Sequence, residues 1–336
     1  MTTMQTDNFG DLVLEKRVVA ALKDMGFEEP SPIQQQAVPP LLEGKDIIGQ
    51  AQTGTGKTAA FGIPIVQGIE EHRHIQALIM SPTRELAIQV AEEIGKIGRT
   101  KRIRAVPVYG GQPIDRQIRA LKSGVQVVIG TPGRLLDHIH RGTIKLDHVR
   151  YLVLDEADEM LDMGFIEDME EILLHVPAER QTMLFSATMP RPILSLTKKY
   201  MRAPQMVTVS KGDITVPLID QYYFETRDKV EGVSRLLDAG IEGKCIIFCR
   251  TKRGVDDLAA SLCSRGYIAE GLHGDLSQTQ RDRVMKKFKQ GRLDILIATD
   301  VAARGLDIDN VQYVINFDVP QDPESYVHRI GRTGRA

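Results

Sequence analysis

The sequence has few of the residues that mark secreted proteins. It has no Trp, 5% aromatic residues and three cysteines, Cys245, Cys249 and Cys263. An odd, sparse set of cysteines argues against a disulfide framework and favours a reducing, cytoplasmic compartment. The Cys245-x3-Cys249 spacing offers half of a metal site, but no second ligand pair follows, so a zinc site is not favoured.

Long apolar runs and an excess of one charge are also missing. No apolar stretch approaches the roughly 18 residues that a membrane span needs, and the N-terminal MTTMQTDNFG lacks the regions of a secretory signal. Residues 1–211 carry 25 Lys and Arg against 26 Asp and Glu, and residues 212–336 carry 18 against 19. Nucleic-acid binding would therefore need a local patch, not a global positive field.

The apolar residues that are present form short runs separated by helix-length segments. The 336 residues exceed what one core usually supports, so two domains are expected. The runs do not alternate apolar with polar residues, which predicts strands buried on both faces of a parallel sheet. They are KDIIGQ (45–50), ALIMSP (77–82), QVVIGT (126–131), YLVLDE (151–156), TMLFSA (182–187), CIIFC (245–249), DILIAT (294–299) and QYVINF (312–317).

The two halves of the chain also echo each other. VIGTPGRLLD (128–137) is similar to LIATDVAARGLD (296–307), and LDHVRYLVLD (146–155) is similar to IDNVQYVINF (308–317), in the same order. This favours duplicated doubly wound domains, although convergence of two α/β segments is the alternative. The Gly-Asp turn and Pro217 in VTVSKGDITVPLID (207–220) predict a linker between the domains. A ligand is expected in a cleft at the carboxyl ends of the strands.

AQTGTGKT (51–58) predicts a phosphate-binding loop between a strand and a helix. Ala51 replaces the first Gly of the general pattern, but the other positions fit. Gly54 and Gly56 allow backbone N–H groups to surround phosphate oxygens at a helix N-terminus. Lys57 can reach the β- and γ-phosphates, and Thr58 can bind Mg²⁺. The alternative is a flexible turn. Gly62 and Pro64 predict a kink or a short first segment in the helix that follows.

The strand LVLDE (152–156) ends in carboxylates, as a phosphate-loop enzyme requires of a second strand. Asp155 is the candidate ligand of Mg²⁺, and Glu156 is suited to polarise the attacking water. Alone, DEAD (155–158) is more typical of an acidic first helical turn. The phosphate loop upstream favours the catalytic interpretation.

With these motifs, the chain resembles the two-domain core of the DEAD-box RNA helicases. The resemblance rests on motifs in order along nearly the whole chain: GFEEPSPIQ (26–34), AQTGTGKT (51–58), PTREL (82–86), GG (110–111), TPGR (131–134), DEAD (155–158), SAT (186–188), IIFCRTKR (246–253), HGDLSQTQR (273–281), ATDVAARGLD (298–307) and HRIGRTGR (328–335). It implies an α/β fold of two tandem RecA-like, doubly wound parallel-sheet domains: an ATP-binding domain over 1–206, a linker over 207–216 and a second domain over 217–336. Because family members usually continue beyond HRIGRTGR, we expect the second domain to be truncated.

The resemblance also implies an ATP site with Mg²⁺. Gln34 is implied to read adenine, Phe9 to stack on the base and Asp307 to contact the ribose, while Arg332 and Arg335 resemble arginine fingers. Ser186 and Thr188 are implied to link the nucleotide state to unwinding. The catalytic candidates are Lys57, Asp155, Glu156, Arg332 and Arg335. The ATP-binding candidates are Phe9, Gln34, Gln52, Thr53, Gly54, Thr55, Gly56, Lys57, Thr58 and Asp307, with Thr58 and Asp155 as the metal ligands.

RNA is the implied partner, held mostly through phosphates and sugars with little sequence preference. The matching positions are Thr83, Arg84, Gly111, Thr131, Gly133, Arg134, Arg250, Gly274 and Thr299. The expected function is ATP-dependent RNA helicase activity by a monomer with no membrane association. The alternatives are a DNA-directed helicase of the same superfamily and a nucleotide-gated RNA clamp or scaffold with little unwinding.

Overall fold

The computed structural model describes residues 6–51, 54–209, 219–240, 243–303, 311–320 and 323–334. The chain folds into two compact units, Met1–Ile214 and Thr215–Ala336. Within the described residues, no helix has the length and apolar character needed to cross a membrane.

The first unit alternates strands with helices after an N-terminal hairpin. Its elements are β1 (Thr6–Phe9), β2 (Leu12–Glu15), α1 (Lys16–Asp24), α2 (Pro32–Leu42), β3 (Ile47–Gln50), α3 (Lys57–Gly68), β4 (Ala77–Met80), α4 (Arg84–Ile97), β5 (Ala105–Val108), α5 (Ile114–Lys122), β6 (Val127–Gly130), α6 (Pro132–His140), β7 (Tyr151–Asp155), α7 (Ala157–Asp162), α8 (Ile166–Leu174), β8 (Gln181–Ser186), α9 (Arg191–Tyr200) and β9 (Gln205–Thr208). α3 is continuous through Gly62 and Pro64, so the expected short first segment is wrong.

Strands β3 to β9 form one seven-stranded sheet in the order β5-β6-β4-β7-β8-β3-β9, and all its pairings are parallel. Alternate residues of each strand enter different hydrophobic cores. In β4, Ile79 packs in the core with α1 to α4, whereas Leu78 and Met80 pack in the core with α6 to α9. Burial on both faces explains why these strands read as continuous apolar runs.

The second unit contains α10 (Lys229–Asp238), β10 (Lys244–Phe248), α11 (Lys252–Ser264), β11 (Ala269–Leu272), α12 (Gln278–Lys289), β12 (Ile295–Ala298), α13 (Asp300–Ala303), β13 (Val311–Asn316) and α14 (Pro323–Ile330). Its four described strands are parallel in the order β11-β12-β10-β13. Ile246, Phe248 and Leu296 pack in one core, and Ile247 and Ile297 pack in the other.

The strand order gives a structural basis for the internal echo. The order β11-β12-β10-β13 reproduces β5-β6-β4-β7 when β10 to β13 are matched, in chain order, to β4 to β7. The two similar segment pairs then fall on matching strands, β6 with β12 and β7 with β13. The predicted linker differs from the structure at its start, because Val207 and Thr208 are still paired with β3 as part of β9.

Candidate functional site

Six sequence motifs of the first unit lie at the carboxyl ends of β3 to β8. In the order of the sheet, GG, TPGR and PTREL follow β5, β6 and β4, while DEAD, SAT and the phosphate loop follow β7, β8 and β3. The topology therefore divides this edge into two halves. The motifs implied to bind RNA occupy one half, and those implied to bind ATP, with SAT between them, occupy the other.

The phosphate loop needs its two glycines because of its backbone conformation. Gly54 and Gly56 have φ angles of +81° and +86°, in the left-handed region that favours glycine. A Cβ on Gly56 would also lie 2.5 Å from Gln34 Nε2 and 2.9 Å from Ser31 Oγ. Gly56 immediately precedes α3, so the N-terminus of this helix faces the loop. These are the features that a phosphate cradle requires.

The end of α2 that carries Gln34 holds this loop. Gln34 is 1% exposed, its Oε1 accepts from Ser31 N at 3.0 Å, and its Nε2 donates to Gly56 O at 3.1 Å. Ser31 Oγ donates to Thr55 O at 2.8 Å. The residue implied to read adenine is thus bonded to the phosphate loop. Ser31 completes this contact and was not singled out from the sequence, although its Ser-Pro-Ile-Gln pattern is typical of a helix cap.

Lys57 lies close to Asp155 and Glu156, the first two acids of DEAD. Lys57 Nζ lies 3.8 Å from Glu156 Oε1, and both side chains are less than a tenth exposed. Among the described residues, Lys57 Nζ and Asp155 Oδ1 are buried without a hydrogen-bond partner. Leaving a buried ammonium group so incompletely paired is costly, which indicates a site preorganised for an anionic ligand.

Asp155 has the environment of a metal ligand. Burial raises its pKa to about 7; the charge of Lys57 opposes this rise and that of Glu156 adds to it. A bound cation would stabilise the buried Asp155 Oδ1, which lacks a hydrogen-bond partner. With the half-buried Thr58 at the start of α3, Asp155 offers the hard oxygen donors that Mg²⁺ prefers alongside phosphate oxygens. No cluster of three or more His, Cys, Asp or Glu in the described residues could hold a metal alone.

Glu156 has an unusual backbone. Its φ of +52° and ψ of 55° place a non-glycine residue in the left-handed region at the start of α7. Such a conformation costs about 1–2 kcal/mol for an L-residue. Strain of this kind is typical of functional sites, where the surrounding structure maintains it.

Asp158 organises the SAT motif and was missed from the sequence. Its Oδ2 accepts from Ala187 N at 3.1 Å, from Thr188 N at 2.7 Å and from Thr188 Oγ1 at 3.0 Å. Ser186 Oγ in turn accepts from Asp158 N at 3.2 Å and donates to Thr188 O at 2.7 Å. The acid next to the catalytic candidates therefore holds both residues implied to couple ATP to unwinding.

Arg84, Gly111 and Thr83 come together in the half of the edge assigned to RNA. Gly111 has a φ of +86°, and a Cβ there would lie 2.5 Å from Arg84 Nη1. The guanidinium group therefore lies against the GG turn. Thr83 is 6% exposed, and its Oγ1 accepts from Leu86 N at 3.2 Å as the cap of α4. The Thr83 hydroxyl thus caps α4 in addition to its predicted contact with RNA.

The TPGR motif opens α6. Thr131 precedes the helix without capping it through its side chain, and Gly133 is exposed. Arg134 is 14% exposed, and its Nη1 donates to Gln112 O at 3.1 Å and to Gln117 Oε1 at 3.2 Å. These bonds join the TPGR motif to the segment that follows the GG turn.

The three RNA candidates of the second unit follow matching strand ends. Arg250, Gly274 and Thr299 come after β10, β11 and β12, as Arg84, Gly111 and Thr131 come after β4, β5 and β6. Even the helix caps correspond, because Thr251 Oγ1 accepts from Gly254 N at 3.0 Å as Thr83 does from Leu86 N. Equivalent positions of a duplicated sheet thus carry the predicted RNA contacts.

The HRIGRTGR segment is anchored by an arginine that was not singled out from the sequence. Arg329, 3% exposed, donates through Nε and Nη2 to the two oxygens of Asp300 at 2.5 and 2.8 Å. It also donates to Asn316 Oδ1 at 3.0 Å. Arg332 is 6% exposed. Gln52, Thr53, Asp307 and Arg335 lie outside the described residues. Phe9 is 1% exposed within the first core, so its stacking role stays a prediction.

Two family models match the chain in the order that the motifs suggest. The DEAD/DEAH box helicase model matches residues 31–196, and the helicase conserved C-terminal domain model matches residues 228–336. The DEAD-box ATP-dependent RNA helicase CshA of Geobacillus kaustophilus (strain HTA426) is 60% identical over 339 residues, which cover 100% of this chain and 72% of the relative.

The chain belongs to the DEAD-box ATP-dependent RNA helicase family. Members of this family are ATP-hydrolysing enzymes. A second relative, ATP-dependent RNA helicase CshA of Listeria monocytogenes serovar 1/2a, is 57% identical over 98% of this chain and 64% of its own length. This helicase chain thus spans about two thirds of such relatives.

Solved structures support the RecA-like fold of the helicase. A DEAD box protein from the hyperthermophile Methanococcus jannaschii is 47% identical, with a TM-score of 0.60 over 99% of this chain and 91% of that one. Dbp5 of S. cerevisiae, whose structure is bound to RNA and ADP BeF3, is 34% identical. Its TM-score is 0.86 over 96% of this chain and 85% of that one. The predicted fold class is confirmed.

Proposed function

We propose that this helicase hydrolyses ATP in response to RNA and uses that cycle to separate short RNA duplexes. The observation that carries the proposal is the buried and incompletely paired Lys57 ammonium group, 3.8 Å from Glu156 and beside the phosphate loop. RNA is the expected partner because the relatives are named RNA helicases and because one structural neighbour is bound to RNA and ADP BeF3.

ATP binding would use the loop and the end of α2. Lys57 pairs with the β- and γ-phosphates, and the backbone of Gly54 to Gly56 donates to phosphate oxygens at the N-terminus of α3. Gln34 has one N–H and one oxygen lone pair left for the adenine edge after its bonds to Ser31 and Gly56. Thr58 and Asp155 would hold Mg²⁺, which when bound would neutralise the negative charge of the phosphates.

Hydrolysis would combine groups from the two units. Glu156 orients the attacking water, while the strained backbone fixes its carboxylate. Arg332 and Arg335 approach the phosphates from the second unit and stabilise the charge of the transition state. ATP thereby favours a closed form of the two units.

RNA would be bound through the matching strand ends of the two units. A single strand that contacts both units also favours closure, so ATP and RNA strengthen each other's binding through a shared conformational equilibrium. A bent single strand fits such a track and a duplex does not, so closure separates strands locally. Phosphate release then reopens the enzyme.

Two other functions share part of this machinery. A DNA-directed helicase has the same phosphate loop and arginine fingers, but Gln34 and the DEAD sequence (155–158) favour RNA. A nucleotide-gated RNA clamp would tolerate the loss of Lys57, Glu156 or Arg335, and the sequence retains all three residues.

The test is phosphate release without nucleic acid, with single-stranded RNA and with DNA of the same sequence. We expect RNA, but not DNA, to stimulate phosphate release. Glu156→Gln should retain ATP and RNA binding and lower turnover about 100-fold or more, as expected for loss of a general base. Arg332→Ala should slow hydrolysis without weakening ATP binding. Equal stimulation by DNA, or normal turnover by Glu156→Gln, would overturn the proposal.

A further inference from the structure

Arg134 is the outermost member of a buried chain of hydrogen bonds, which we call the Arg134 network: Arg134, Gln117, His138 and Thr143. Gln117 Oε1 accepts from Arg134 Nη1 at 3.2 Å and lies 3.0 Å from His138 Nε2. His138 Nδ1 lies 2.8 Å from Thr143 Oγ1. His138 is 0% exposed and Gln117 is 3% exposed, so no solvent replaces these contacts.

The direction of the hydrogen bonds of Gln117 follows from the chemistry of the groups. Gln117 Nε2 donates to Tyr109 O at 2.8 Å, which fixes the amide so that Oε1 faces Arg134 and His138. A carbonyl oxygen only accepts, so His138 carries its proton on Nε2. Burial lowers the pKa of His138, and the charge of Arg134 lowers it further. The neutral ring therefore donates to Gln117 without adding a charge that would repel the guanidinium group.

The network constrains one side of the guanidinium group. Nη1 has two hydrogens, and these bond to Gln112 O and to Gln117 Oε1. Nε lies 3.6 Å from Asp137 Oδ2, an ion-pair contact. The contacts found among the described residues leave Nη2 for a ligand. A guanidinium group with one edge fixed is preorganised to present the other edge to a phosphate oxygen.

We propose that Gln117 and His138 are positioning residues for RNA binding, which hold the guanidinium group of Arg134 in the orientation that binds an RNA phosphate. The inference rests on the proposed RNA-dependent function. It adds two residues that lie outside every sequence motif, one on α5 and one on α6, and that cannot reach RNA because both are buried.

The test uses the full chain and measures the single-stranded RNA concentration that gives half-maximal stimulation of ATP hydrolysis. His138→Phe keeps an aromatic ring and removes both ring nitrogens. It should raise that concentration about two- to tenfold, as expected when the neutral hydrogen bond that orients Gln117 is lost, and retain the maximal rate. His138→Gln, which can still donate to Gln117, should restore most of the affinity. His140→Ala is the matched control, because His140 lies on the same helix but is exposed and pairs with Glu171.

A double-mutant cycle separates positioning from a general effect on folding. If His138 acts through Arg134, His138→Phe has no further effect on RNA affinity in an Arg134→Ala background. Gln117→Met provides a second route to the same result if His138→Phe fails to fold. Additive effects of the two substitutions, or an unchanged half-maximal concentration in folded His138→Phe, would overturn the inference. Lack of stimulation of the wild type by RNA would instead refute the proposed function.

Discussion

Replacing Asp158 by Asn removes one charge and almost no volume where α7 meets the end of β8. Asp158 Oδ2 accepts three hydrogen bonds from Ala187 and Thr188, and its Oδ1 accepts one from Glu159 N at 3.1 Å. An Asn side chain has one oxygen. If that oxygen keeps the three donors, its NH₂ group faces the N–H of Glu159, and two donors oppose each other.

The magnitude follows from the number and kind of bonds. Hydrogen bonds to a charged group contribute about 1.5–3 kcal/mol each and neutral ones about 0.5–1.5 kcal/mol. Weakening three bonds and losing a fourth should therefore destabilise the first unit by about 3 kcal/mol. Thr188→Val removes one of the donors and should cost about 1 kcal/mol. Because the family resemblance implies that Ser186 and Thr188 couple ATP to unwinding, Asp158→Asn should reduce duplex separation more than ATP binding.

Urea unfolding followed by circular dichroism measures the stability, since the chain has no Trp for fluorescence. Asp147→Asn is the matched control, because Asp147 is an exposed acid of the same unit, and it should change stability by less than about 0.5 kcal/mol. If Asp158→Asn unfolds at the same urea concentration as Asp147→Asn, the carboxylate does not hold the SAT motif as the distances indicate.

Two further predictions follow from the phosphate loop and from the cysteines. Gly56→Ala places an alanine in the left-handed backbone conformation and displaces Gln34, which should weaken ATP binding about tenfold or more. Calorimetry measures the ATP affinity, with Gly95→Ala as the control because a Cβ there meets no atom within 4 Å. Normal ATP affinity in Gly56→Ala would contradict the loop geometry. Burial raises the pKa of the Cys245 and Cys249 thiols to about 12, so both stay protonated at pH 8, whereas Cys263 is exposed. Iodoacetamide should therefore alkylate one thiol in the native protein and three after unfolding, and mass spectrometry that finds more than one native adduct would contradict this burial.

The strands that could be predicted from the sequence are those with neighbours on both sides, together with one edge strand. All eight apolar runs form strands, including β13 at one edge of the second sheet. The strands that were not predicted in these two sheets, β5, β9 and β11, are all edges. An edge strand is covered on fewer sides, so its sequence carries less apolar signal. AVPV in β5 even contains Pro107, which an edge position tolerates.

The residues of the candidate site could also be predicted only in part. Lys57, Asp155 and Glu156 could be predicted because their motifs are local in the sequence. Asp158 could not, because its partners Ala187 and Thr188 lie 29 and 30 residues further along the chain. In the sequence it reads as an acid in a first helical turn. His138 likewise reads as one polar position on an amphipathic helix, and only the structure shows that it is hydrogen-bonded to Gln117 of α5.

The duplicated sheet explains why the two proposed ligands make different demands on the two units. Of the four strands that correspond between the units, β4 to β6 in the first unit and β10 to β12 in the second carry the proposed RNA contacts at matching ends. The phosphate loop instead follows β3, which lies between β8 and β9 in the part of the first sheet that has no counterpart among the described strands of the second unit. In the proposed mechanism, RNA is bound by equivalent positions of both units. In the same mechanism, the phosphates of ATP are bound by the loop that follows β3, and the second unit contributes side chains such as Arg332. Moving the phosphate loop to the end of β10 would place it where an RNA contact is proposed, so the same strand end could not serve both ligands.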